Sequence, residues 1–129
     1  MKRLLTTAGL LAAAQIWAAA AAFAGPWEEG MAAYNRGDYV PAVRFVRPLA
    51  QAGNAKAQAL LGVMYRRGEG VARSTATAFM WLSLAAKQGD PKARAQLKTV
   101  ARMITPDELS RARELMQACE NSNYSNCAY

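Results

Sequence analysis

The chain has 129 residues, 16 Lys and Arg against 9 Asp and Glu, no histidine and two cysteines. That length holds one small domain. The missing histidines exclude a His-based triad, an imidazole general base and a His-ligated zinc site, and two cysteines fall short of the roughly four ligands of a Cys-only structural zinc.

The first 24 residues differ from the rest. Lys2 and Arg3 form a positive start, Leu4 to Ala21 is uncharged and mostly Ala and Leu, and Ala22-Phe23-Ala24 is a small-residue cleavage site followed by Gly25. This pattern is that of a secretory signal peptide. No twin arginine precedes the apolar run and no cysteine follows the cut, which points to the general secretory route without a lipid anchor. Kept uncleaved, an apolar run of about 18–20 residues could instead span a bilayer. Cleavage leaves Gly25–Tyr129, still with more basic than acidic residues, with no stable membrane insertion and in a periplasmic or secreted setting that permits disulfides.

From there on, no segment alternates like a half-buried strand, and six helices are expected. The first is Pro26–Arg36, opened by Pro26, with Trp27, Met31 and Tyr34 on one face and Gly37 at its end. Asp38 is placed to cap the second, whose apolar face is Tyr39, Ala42, Val43, Val46, Leu49 and Ala50. Pro41 fits its first turn, while Pro48 should bend or interrupt it. Asn54 caps the third, with Ala57, Leu60, Leu61, Met64 and Tyr65 facing inward, and Gly68-Glu69-Gly70 breaks it. Ser74 caps the fourth, with Ala78, Trp81, Leu82 and Ala85 inward and Gly89 at its end. Asp90-Pro91 starts the fifth, through Ala93, Leu97, Val100 and Ala101. Thr105-Pro106-Asp107-Glu108 is a capping box over a negative first turn, and the sixth helix runs to about Cys119.

The sequence repeats itself. Gly53-Asn54-Ala55-Lys56-Ala57 returns 36 positions later as Gly89-Asp90-Pro91-Lys92-Ala93, and Leu61 returns as Leu97. Ala78, Trp81, Ala86 and Gly89 match Ala42, Phe45, Ala50 and Gly53 at the same offset. A lone helical hairpin cannot bury its apolar face, whereas stacked hairpins share one, and about three units are the minimum. Three units follow, at about 26–53, 54–89 and 90–119, with a polar tail at 120–129. Small residues (Ala57, Gly62, Ala78, Ala85, Ala86) let helices approach, and Tyr65, Phe79, Trp81 and Trp27 are assigned to the core between them. The methionines Met31, Met64, Met80, Met103 and Met116 are spaced like packing residues rather than as a soft-metal site.

The run Asn54-Ala55-Lys56-Ala57-Gln58…Leu61-Gly62-Val63-Met64-Tyr65…Gly68-Glu69-Gly70-Val71…Ala78…Trp81…Ala85-Ala86-Lys87-Gln88-Gly89 resembles a Sel-1-like repeat, with Ser74 where Asp is usual. The first unit is closer to the related tetratricopeptide repeat through Trp27, Tyr34, Gly37-Asp38-Tyr39 and Ala42. The third departs, with Ala101 where Tyr is expected and no Gly-x-Gly-Val loop. The resemblance implies an all-α solenoid of about three antiparallel hairpins. It also implies a non-catalytic scaffold for protein–protein interaction, in bacteria often in the envelope. The first helix of each unit would line a concave groove, at Lys56, Ala59, Val63 and Arg66 in unit two, Lys92, Ala95, Thr99 and Arg102 in unit three, and Glu28, Ala32 and Asn35 in unit one. Lys56, Arg66, Lys92 and Arg102 are the candidate partner-binding residues, and their charge favours an acidic protein segment or an anionic cell-wall polymer.

Cys119 and Cys127 bracket a short polar tail and can pair in an oxidising compartment. Free thiols or an intermolecular bridge remain alternatives. Their setting is similar to the helix crosslink of cysteine-rich relatives, some linked to penicillin binding or β-lactamase activity. Those carry a cysteine pair in every repeat, so only the crosslink is carried over. A cell-wall or β-lactam enzyme is the rival reading. It lacks support from motifs: no Ser-x-x-Lys, Gly-x-Ser-x-Gly or Walker loop occurs, and Ser83 and Lys87 are wrongly spaced. Glu28 and Glu29 are adjacent at a helix start, where negative charge suits the dipole. No metal, cofactor or nucleic-acid partner is expected.

Overall fold

Side chains set the start of four of the six helices. Asn54 Oδ1 accepts from the Ala57 amide at 3.0 Å, Ser74 Oγ from Thr77 at 3.2 Å and Asp90 Oδ1 from Ala93 at 2.7 Å. Thr105 and Glu108 exchange both bonds of a capping box, at 3.2 and 2.9 Å. The computed structural model describes residues 24–127, and the expected leader lies outside them apart from Ala24. The helices are α1 (Pro26–Arg36), α2 (Tyr39–Gln51), α3 (Ala55–Arg67), α4 (Thr75–Lys87), α5 (Pro91–Ala101) and α6 (Pro106–Asn121). No strand occurs among the described residues.

Two local expectations are corrected. Asp38 flanks α2 but makes no capping bond; its carboxylate instead accepts from Arg36 Nε at 3.1 Å. Pro48 does not interrupt α2, which continues to Gln51. Pro48 sits in the last turn, where its missing amide forfeits a single ladder bond and few residues remain to be displaced.

The array is built by sequential stacking. α1 packs on α2, α2 on α3, α3 on α4, and α4 on both α5 and α6, while α3 also touches α5. The third pair is looser, because α6 lies along α4 and the α5 and α6 backbones stay apart. The 36-residue recurrence is visible in three dimensions, since Gly53 and Gly89 both take the left-handed conformation (φ 89° and 92°) before equivalent Asn54 and Asp90 caps.

Trp81 is fully buried between the helix layers with Val46, Ala50, Ala57, Leu61, Tyr65 and Cys119. A second cluster joins Ala59, Leu82, Ala85, Ala93 and Val100, with Phe79 half-buried against it. Gly62 allows α3 to approach α4 closely: a Cβ there would sit 2.7 Å from Leu82 Cγ and 3.2 Å from the Leu82 nitrogen. Gln58 is a buried polar link between units. Its Nε2 donates to the Ala50 carbonyl at the end of α2 (3.1 Å), and its Oε1 accepts from Gln88 Nε2 at the end of α4 (2.8 Å). Such pairing is what makes burying an amide tolerable.

The α3–α4 loop is held against unit one. Tyr34 stacks at a tilt on Tyr39, centroids 5.3 Å apart, and Arg67 Nη1 donates to the Tyr34 hydroxyl at 3.4 Å. Burial, then the Glu69 carboxylate, hold the Tyr34 phenol above its ordinary value, so it stays protonated and able to donate. Gly70 closes this contact. With φ at 71°, a Cβ on it would lie 2.5 Å from the Tyr39 carbonyl oxygen. Gly70→Ala therefore combines left-handed strain with a backbone clash and should cost about 2–3 kcal/mol. A urea midpoint unchanged by the substitution would show that the loop is not held this way.

Cys119 and Cys127 are paired as an intrachain disulfide, with Cα atoms 4.3 Å apart. The loop between them folds back onto the core, and the Tyr124 ring stands 3.5 Å from where a Gly53 Cβ would be. Met103, expected in the core, is 41% exposed. It sits at the α5–α6 turn, where no following unit covers it.

Candidate functional site

The first helices of the three units, α1, α3 and α5, together line an open groove of about 630 Å³. α1 contributes Trp27 and Met31. α3 contributes Lys56, Ala59, Leu60 and Val63, and the start of α5 contributes Asp90, Pro91, Lys92, Ala95 and Gln96. These positions follow from helix geometry. Residues 56, 59, 60 and 63 share one side of α3, and residues 92, 95 and 96 share one side of α5. Ala59 and Ala95 leave the floor open, while Trp27, Met31, Leu60 and Val63 make it apolar.

Lys56 and Lys92 are both exposed and stand in the lining at equivalent repeat positions. The one carboxylate in the lining, Asp90, is engaged by the Ala93 amide in capping α5. The groove thus pairs an apolar floor with two exposed cations that form no ion pair among the described residues. Gln96 adds a polar feature, because its Oε1 is shielded from solvent and has no hydrogen-bond partner among the described residues.

The other two candidate residues are not brought into this lining. Arg66 and Arg102 lie ten residues along their helices from the lysines, about 15 Å at the helical rise. Arg66 is half-buried and Arg102 exposed. Glu28, Ala32, Asn35 and Thr99 also lie outside the lining. Conversely, Trp27 was assigned to the core but is only half-buried, touching the core on one side and lining the groove on the other. Its place at the very start of α1, one residue after Pro26, was the available signal: an end residue has fewer neighbours to cover it.

A second depression of about 460 Å³ is lined by Arg73, Ser74, Thr75, Ala76 and Glu108. The chemistry there is already committed, since Ser74 caps α4 and Glu108 completes the α6 capping box. Among the described residues, no group of three His, Cys, Asp or Glu side chains could hold a metal ion, and no helix is long and apolar enough to cross a membrane.

No curated protein matches the chain. Residues 55–90 match the family model of the Sel1 repeat. That stretch covers α3, the Gly68–Gly70 loop, α4 and the turn into α5, which are the segments with the closest helix approach and the deepest core residues. With the matched unit flanked on both sides by helices that continue its stacking, the chain carries a Sel1 repeat at residues 55–90 inside an all-helical array.

Proposed function

We propose that the protein is an exported, non-catalytic scaffold of the bacterial envelope that holds an acidic partner segment in the groove across α1, α3 and α5. The single observation carrying this reading is the apolar trough of about 630 Å³ with Lys56 and Lys92 exposed in its lining. An apolar side chain of the partner fills the floor beside Trp27, and flanking carboxylates meet the two lysines. Cations at such a rim steer encounter and select the partner's sign, while the apolar contact supplies most of the hold. Arg66 extends the positive field along α3. The export half of the reading is supported by the leader-like residues 1–24 and by the disulfide.

The test is affinity capture from envelope extracts with the wild type beside Lys56→Glu/Lys92→Glu. We expect one discrete protein held by the wild type, released by salt, and reduced at least tenfold in the variant, since a like-charge clash costs more than about 1.4 kcal/mol. Capture that is indifferent to both salt and the charge reversal would reject the groove.

A further inference from the structure

Arg94, Lys98 and Arg102 stand four residues apart on α5 and its end, and all three are exposed. At the helical rise they form one line about 12 Å long. α5 itself carries no carboxylate. Of the flanking ones, Asp90 caps α5 and Glu108 closes the α6 capping box, which leaves Asp107. None of the three cations forms an ion pair among the described residues, whereas Arg36, Arg67, Lys87 and Arg111 all do. Immediately past Arg102, the apolar Met103 is 41% exposed at the turn into α6. This ridge runs beside the groove and not into it: Arg94 and Lys98 lie nearly opposite Lys92 and Gln96 around the helix, and none of the three cations is in the groove lining.

We propose that this outer edge of α5, Arg94, Lys98 and Arg102 with Met103 at its tip, is a contact surface for an anionic phospholipid bilayer. Three unpaired cations in a line match a plane of repeated negative charge. An exposed apolar side chain beside them can enter the headgroup region, as amphipathic interfacial segments do. An acidic protein segment is the less suitable occupant, since it would need an anchoring depression, and neither described cavity includes these residues.

The protein is expressed with its own leader, purified after export, and sedimented with vesicles of mixed phosphatidylglycerol and phosphatidylcholine or of phosphatidylcholine alone. We expect binding to the anionic vesicles only, weakening as salt rises. Arg94→Ser/Lys98→Ser/Arg102→Ser should lower partitioning by roughly a hundredfold, at about one kcal/mol for each cation near the surface. Met103→Ser should lower it severalfold. A charge-matched control, Lys87→Ser/Arg111→Ser/Arg113→Ser, should bind like the parent, and circular dichroism checks that each variant keeps its helices. Equal binding to neutral vesicles, equal loss in the control, or retention of polyglutamate without retention of vesicles would each overturn the proposal.

Discussion

Trp81→Ala should remove about 3–5 kcal/mol of folding stability, the usual cost of emptying a buried aromatic site. Trp81 is the largest fully buried side chain and belongs to the core cluster that joins residues of α2, α3, α4 and α6, so the cavity would open inside the main core. A domain of this size holds only about 5–15 kcal/mol in total, and the loss is therefore a large share of it. Trp81→Phe separates volume from chemistry. The indole nitrogen of Trp81 is buried with no partner among the described residues, so phenylalanine keeps most of the packing and discards an unpaired donor. We expect the Phe variant to lose much less than the Ala variant in chemical denaturation. Equal losses would mean that the site does not depend on filled volume.

The second large effect is expected from the disulfide. Opening it by Cys127→Ala should cost roughly 2–3 kcal/mol, the chain-entropy value for so short a loop. Cys119 then remains as a buried thiol, which is well tolerated. The loss should be local as well as global. Tyr124 now donates its amide to the Cys119 carbonyl at 2.8 Å and covers Gly53, and both contacts depend on the closed loop. Hydrogen exchange should show the Tyr124 amide losing protection in the variant while the amides of α3 and α4 keep theirs. Unchanged stability together with a protected Tyr124 would show that packing alone holds the tail.

Much of the fold is written locally. Asn54, Ser74, Asp90 and Thr105 are legible as caps because capping needs only the residue and the backbone three positions on. The repeat is legible for a similar reason: Gly53 and Gly89 precede the same cap geometry. Asp38 misleads because a neighbouring guanidinium, Arg36, outcompetes the backbone for its carboxylate. Pro48 misleads because its cost depends on how many residues of helix follow it. Met103 has core spacing, but spacing does not reveal that α6 turns away to α4 and leaves the end of α5 uncovered. The groove was half legible. Lys56 and Lys92 fall into it as the repeat alignment implies. The role of Trp27 and the position of the groove near the helix starts depend on where α1 lies against α3, which no local pattern encodes.

In the proposed arrangement the partner lies across α1, α3 and α5. Site-specific photo-crosslinking reads that position, with a photoreactive phenylalanine derivative placed at Ala95 in the groove or at Gln117 on the exposed side of α6. Irradiation of cells should join one discrete envelope protein to position 95 and none to position 117, and Lys56→Glu/Lys92→Glu should abolish the product. A product at position 117 but not at 95 would place the partner elsewhere, and one at 95 that survives the charge reversal would show that the two lysines do not hold it.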